Sequence, residues 1–413
     1  MTNRARRVVI TGLGVVAPNG IGKEPFWQNL LRGSSAVDYI TAFDASSYAT
    51  RIAAEVRDFD PGQYLYLKSA RQMWRLSQFG VASVLLAVED AQFPNSSSRT
   101  AVCFGTTLGA VGSGAELHAS SLAKGSIRNV LPMFTESLPH AMTSHIAAAL
   151  RVTGPTLTVS SNCCTGLDAI QQACLLIKTA VVDSAIAGAS ETPVFPIIVA
   201  ALSKLRLLST RNGDPRRASR PYDRLRDGLV LGEGAGAVVL EDLHSALKRN
   251  AQIYAEVVGY AAATEPSEIR TPATTGAVLS QVIQTALQAG NLDPSCIDYV
   301  SAHGSSLPFT DLCDTIAFKM AFGPRAYRIP ISSLKSMLGQ AISAGSVFQA
   351  VSACLAMRDG MVPPTINQEI TDPDCDLDYV PNHVRPCRID HALVNAHGMG
   401  GNISALVLRR FAS

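Results

Sequence analysis

The chain has 413 residues, 47% of them hydrophobic and 16% charged, with a formal net charge of +2. Such a chain buries a large core, is not intrinsically disordered, and offers no general attraction for nucleic acid. Its nine cysteines, at 103, 163, 164, 174, 296, 313, 354, 375 and 387, contain no C-x-x-C pair and no repeating interval, so neither a zinc site nor a disulfide framework is expected.

The basic start Arg4-Ala5-Arg6-Arg7 precedes Val8-Val9-Ile10-Thr11-Gly12, which reads as a first strand. Gly12, Gly14 and Pro18-Asn19-Gly20 interrupt the apolar run too early for a signal peptide; they predict a turn after the strand, in a cytoplasmic protein. Leu76 to Ala91 carries apolar residues at helical spacing. Next, Val159-Ser160-Ser161-Asn162-Cys163-Cys164-Thr165-Gly166-Leu167-Asp168 reads as a strand turning sharply into a helix, with a thiol at the turn. Helix N-terminal amides place partial positive charge there, which lowers a thiol's pKa from about 8.5 and raises its thiolate fraction. Cys163 is therefore a candidate nucleophile; the plain alternative is a small buried cysteine. The apolar stretch Pro193 to Leu202 holds two prolines and follows Glu191, which makes it a poor membrane span.

Arg220-Pro221-Tyr222-Asp223 leads toward Gly232-Glu233-Gly234-Ala235-Gly236, a glycine-rich entry to a strand. Ile253 to Gly259 reads as another strand and Thr274 to Ala289 as another alanine-rich helix. Tyr299-Val300-Ser301-Ala302-His303-Gly304-Ser305-Ser306 ends an apolar run on a histidine, and Ser332-Ser333-Leu334-Lys335 is followed shortly by Gln340. Asn395-Ala396-His397-Gly398-Met399-Gly400-Gly401-Asn402 is a further glycine-rich turn. Strand, alanine-rich helix and Ser-Ser turn thus recur in residues 1–250 and 251–413, which predicts a duplicated α/β unit of two halves.

In the order and spacing of these motifs the chain resembles the β-ketoacyl-acyl-carrier-protein synthases, the elongating ketosynthases of fatty-acid and type II polyketide assembly. The resemblance implies the thiolase fold, a five-layered α-β-α-β-α sandwich of two pseudo-symmetric halves. It also implies that Cys163 is the acylated nucleophile, His303 the first catalytic histidine and Lys335 the active-site lysine, with Asp311 the acidic residue after the histidine loop. Leu108, Met133 and Phe134 fall on positions that line the acyl pocket. No cofactor is implied, because the phosphopantetheine arm arrives on the carrier protein.

Departures from the family are equally specific. Its second histidine falls on Gln340, which keeps an N–H donor but cannot become cationic. Its His-Gly-Thr-Gly-Thr loop is His303-Gly304-Ser305-Ser306-Leu307, so Ser305 keeps one arm-binding hydroxyl and Leu307 loses the other. The glutamate that pairs with the lysine is shortened to Asp314, the gating phenylalanine is Met399, and the aromatic before it is His397. His397 either supplies part of the missing histidine function or packs within its turn. Cys164 either tunes or bridges its neighbour or is simply buried.

Two readings follow. One is a ketosynthase-like acyltransferase that acylates Cys163 and condenses it with a malonyl thioester through His303 and Gln340, or that acylates without condensing. The other is a chain-length-factor-like partner subunit of a ketosynthase heterodimer. The retained Cys163, His303 and Lys335 favour the first. The expected partners are an acidic acyl carrier protein, docking near Lys68, Arg71, Lys204 and Arg206, and a second related subunit in a homodimer or heterodimer. Attraction of that kind is salt-sensitive. Other arginines between 216 and 226 are expected to form ion pairs with Asp223 and Asp227.

Overall fold

In the computed structural model, which describes residues 6–94, 99–125, 134–266 and 275–411, two mixed sheets of matching topology frame the molecule. The first holds β1 (Val8–Ala17), β2 (Thr100–Gly105), β3 (Thr156–Val159), β4 (Ser184–Glu191) and β5 (Gly234–Asp242), in the spatial order β3-β2-β4-β5-β1. The second holds β6 (Ala255–Thr264), β7 (Tyr299–Ser301), β8 (Ile331–Ser332), β9 (His391–His397) and β10 (Asn402–Arg409), in the order β8-β7-β9-β10-β6. Numbered within its own half, each sheet reads 3-2-4-5-1. In both, the first three strands of that order are parallel and the last two join antiparallel. The two are joined into one continuous hydrogen-bonded sheet where Val9 and Ile10 pair antiparallel with Glu256 and Ala255.

Of the helices α1 (Arg75–Asp90), α2 (Ala141–Leu150), α3 (Thr165–Lys178), α4 (Pro196–Lys204), α5 (Ala277–Ala289), α6 (Pro308–Phe322) and α7 (Ser343–Asp359), all but α4 complete five layers. α1 and α2 cover the outer face of the first sheet, α5 and α6 that of the second, and α3 and α7 lie between the sheets. The central position explains the composition of α7. Every residue from Ser343 to Met357 is buried, so no face can be polar and the helix shows no amphipathic stripe.

Gly12 and Gly14 do not begin a turn. The first strand runs on to Ala17, and the two glycines let α1 lie directly on it: a Cβ on Gly12 would stand 2.2 Å from the Ala87 carbonyl oxygen, and one on Gly14 would stand 1.9 Å from that of Ser83. The Pro18-Asn19 turn follows as expected. No helix among the described residues is long and apolar enough to cross a membrane. Arg220 pairs with Asp223 as anticipated, but Asp227 takes Arg211, while Arg226 reaches Asp311 and Asp372.

Candidate active site

The turn that carries Cys163 is built by short-range hydrogen bonds. After β3, the Ser161 amide donates to Thr165 Oγ1 at 2.8 Å, and Asn162 takes φ 57°, a left-handed conformation that asparagine tolerates better than most residues. The next helix can approach because Gly166 has no side chain; a Cβ there would stand 2.3 Å from Val347 Cγ2 on α7. Cys163, 8% exposed, donates its thiol proton to Asn162 Oδ1 at 3.1 Å, and its own amide donates to the same oxygen at 2.8 Å. Burial pushes this thiol up to about 11, with Lys335 opposing and Glu191 adding to the rise. The expected lowering by the helix start is therefore overturned, since desolvation of a buried thiolate outweighs it. Cys164 donates its own thiol proton to the carbonyls of Ala396 and Asn402, and both cysteines are free.

Opposite the thiol, the second half presents its own turn. Gln340 is fixed by backbone hydrogen bonds to Val230 and Gly232, and its Nε2 donates to Cys163 Sγ at 3.4 Å. Its Oε1 is buried with no partner among the described residues. Ile342, two residues on, has φ 43°, costly backbone for a β-branched side chain. His303 follows β7. The His397 amide donates to its Nδ1 at 3.5 Å, which leaves the proton of the neutral ring on Nε2. Burial, with Lys335 and His397 adding, holds His303 well below its ordinary pKa, so the ring is a neutral donor.

Lys335 is buried, donates to the His303 carbonyl, and is lowered to about 8 by burial, with Cys163 and Asp314 opposing. Among the described residues no ion pair joins it to Asp314. One methylene shorter than the family's glutamate, that carboxylate instead takes His397 Nε2 at 3.1 Å, together with donors from Tyr222, Gly304 and Asn395 at 2.9 Å each. Burial alone would raise the Asp314 carboxyl; His397 and these donors bring it below the usual range. The His397 ring also lies against His303, with centroids 4.2 Å apart. Asp311 braces the same loop by accepting from the amides of Tyr222, Ser305 and Ser306; burial raises it to about 6 against the pull of Arg226.

Cys163, His303, Gln340, Leu108, Ser305, His397 and Met399 all line one cavity of about 360 Å³, whose remaining wall is mainly aliphatic. Lys335 stands behind this wall. Phe134 does not reach it: the ring is 56% exposed, because its backbone enters a surface turn at Thr135–Ser137. Met133 lies outside the described residues. Lys68, Arg71, Lys204 and Arg206 are all exposed, and none forms an ion pair among the described residues. Leu205, between the latter two, lines the cavity, so this charge pair stands at its rim.

Several positions that build the cavity and its turns were not singled out from sequence. Thr310 supplies a cavity hydroxyl 2.5 Å from that of Ser305, partly replacing the one absent at Leu307; an i,i+5 spacing across a proline-led helix start is its only signal. Glu191 accepts from Thr106 Oγ1, the amides of Thr107 and Leu108, and Ser343, tying the Leu108 wall to α7. Asn162 leaves no trace in sequence beyond its tolerance of left-handed backbone.

Comparison with known proteins gives matches over nearly the whole chain. Residues 5–246 match the family model "Beta-ketoacyl synthase, N-terminal domain", and residues 254–369 match "Beta-ketoacyl synthase, C-terminal domain". A 3-oxoacyl-[acyl-carrier-protein] synthase 2 of Coxiella burnetii is 40% identical over 409 residues, covering 98% of this chain and 99% of its own. Among solved structures, a ketosynthase complex described as a type II PKS acyl-carrier protein with its ketosynthase bound to the hexaketide superimposes with a TM-score of 0.91. It is 32% identical and covers 99% of this chain and 100% of its own. The ishigamide ketosynthase/chain length factor gives 0.89 at 31% identity, with coverage of 99% and 100%.

Proposed function

The chain belongs to the β-ketoacyl synthase family, and on that premise we propose that it is an acyl-transferring condensing enzyme of fatty-acid or type II polyketide assembly, with Gln340 doing the work of a histidine. The observation that carries this reading is the meeting of Cys163 Sγ and Gln340 Nε2 at 3.4 Å in the cavity that also holds neutral His303. An acyl group passes from a carrier thioester to Cys163, and the carrier thiol leaves. The Cys163 amide, occupied at rest by Asn162 Oδ1, exchanges that acceptor for the thioester oxyanion. A malonyl thioester then loses carbon dioxide, and the enolate oxygen receives N–H donors from His303 Nε2 and Gln340 Nε2. Both donors are neutral, so an amide can stand where an imidazole is usual. The enolate carbon attacks the acyl-cysteine, and the thiolate of Cys163 is released and reprotonated. Any change in condensation falls on the decarboxylating step, where Gln340 acts.

The partners follow from the surface. An acidic carrier protein meets Lys204 and Arg206 at the cavity rim, with Lys68 and Arg71 as further contacts, while Ser305 and Thr310 receive the arm it delivers. β3 is the open end of the first sheet, with Leu157 exposed on it and Phe134 exposed on the surface. That edge suits pairing with a second ketosynthase-like subunit, each chain contributing the halves 1–250 and 251–413. A retained thiol in a formed cavity argues against a purely structural partner role.

Incubation with acyl- and malonyl-carrier proteins, with Cys163 acylation followed by intact mass and carbon dioxide release followed separately, tests the reading. An adduct together with decarboxylation is expected. No adduct from any acyl donor would overturn it, and adduct without decarboxylation would reduce the protein to an acyltransferase.

A further inference from the structure

A protonated, buried thiol needs a base, and the cavity offers few. The Cys163 proton is hydrogen-bonded at rest to Asn162 Oδ1, an amide oxygen that cannot take it. Gln340 is likewise an amide. His303 has Nδ1 occupied by a backbone N–H and carries its proton on Nε2. Lys335 engages its ammonium with the His303 carbonyl. Asp314 and Glu191 are each surrounded by four donors. His397 is different. Asp314 fixes its Nε2, as a carboxylate orients an imidazole for proton transfer, and Nδ1 has no hydrogen-bond partner among the described residues. The ring lines the same cavity as Cys163, and the adjoining Gly398 lies so near Asn162 that a Cβ on it would stand 2.8–2.9 Å from the asparagine side chain.

We propose that His397, oriented by Asp314, is the general base that takes the Cys163 proton during acyl loading. Resting on the acylation of Cys163 argued above, the step is balanced: the Cys163 S–H bond breaks as sulfur forms its bond to the acyl carbon. The proton moves to His397 Nδ1, and the carrier C–S bond breaks. His397 then returns the proton to the carrier thiolate. Asp314 stabilises the imidazolium between the two transfers. The titrating and charged groups around it are Asp314 on α6, His303 after β7, Lys335 after β8 and Cys163 before α3. Gln340, Asp314 and His397, three separate departures from the family pattern, thereby become one device: the amide keeps the donor, and the shortened carboxylate turns the extra histidine into the base.

Two rates on the full-length protein test this across pH: acylation of Cys163 from an acyl-carrier thioester, followed by intact mass, and alkylation of Cys163 by iodoacetamide, with Cys163→Ala as blank. The wild type should show a neutral-pH step in alkylation besides the alkaline rise of a free thiol. His397→Gln, which can still donate to Asp314, should lose that step and slow acylation about 100-fold, in the range general bases supply. Asp314→Asn should give an intermediate loss, and added imidazole should restore part of the rate in His397→Ala. The proposal is overturned if the wild type has no neutral step, if His397→Gln keeps it while acylation merely slows, or if Lys335→Met alone removes it. Should the wild type accept no acyl group from any carrier, the proposed function falls, and the alkylation profile still decides the role of His397.

Discussion

The turns that precede the two central helices occupy corresponding places in the duplicated fold, yet they are built and equipped differently. Before α3 the chain bends through Asn162 in left-handed backbone and presents a thiol; before α7 it passes Gly339 and strained Ile342 and presents an amide. Each turn closes on the other across the boundary between halves. Duplication supplied two facing helix starts, and side-chain choice then separated them into one that presents a thiol and one that presents an amide donor to it.

Substitution at the two turns should break this division unequally. Cys163→Ala removes the only atom in the pair that can hold an acyl group, so the adduct seen by intact mass should vanish entirely. Gln340→Ala should keep the adduct but lower carbon dioxide release roughly 100- to 1000-fold, the cost of one lost oxyanion donor; Gln340→His should restore it. Comparable release from Gln340→Ala and wild type would mean that the amide is a spectator.

Packing sharpens the contrast further. Gly166 and Gly345 sit in the first turns of α3 and α7, but a Cβ meets Val347 Cγ2 at 2.3 Å in the first case and nothing nearer than Gln340 Oε1 at 3.4 Å in the second. Gly166→Ala should therefore destabilise the fold by about 3 kcal/mol in urea unfolding, while Gly345→Ala should change it by less than about 1 kcal/mol. The smallest effect is electrostatic. Lys335 is lowered to about 8 from 10.5, so the unfolded chain binds its proton more tightly and stability rises with pH between those values. Cys103, Cys164, Cys174, Cys313, Cys354 and Cys375 are raised by burial and pull stability down over the same range, so the lysine is read as a difference: in a Cys163→Ala background, Lys335→Met should lose about 2 kcal/mol more than its parent from pH 7.5 to 9.5.

Much of the fold was legible because each half repeats a strand, an amphipathic outer helix and a small-residue turn, and the outer helices α1 and α5 stand where the apolar spacing put them. α7 carries no such signal, since a helix buried on every side has no polar face to set a period. Gly12 and Gly14 were misread for a related reason: glycine marks a turn in local terms, but here it makes room for α1, which only the assembled fold brings near. In the site, Cys163, His303 and Gln340 converge as their motifs suggested. The thiol's ionisation could not be read from its helix start, because burial decides it. Phe134 missed the cavity because a surface turn carries it outward.

Asn162 has one more consequence. Its side-chain oxygen holds both the proton and the amide of Cys163, so the thiol is capped by its own neighbour. Peroxide attacks thiolate, and a capped, protonated sulfur gives it little to attack. The cap guards the sulfur against oxidation, and any reagent that takes its place at the sulfur, alkylating or acylating, must first draw the proton away from Asn162.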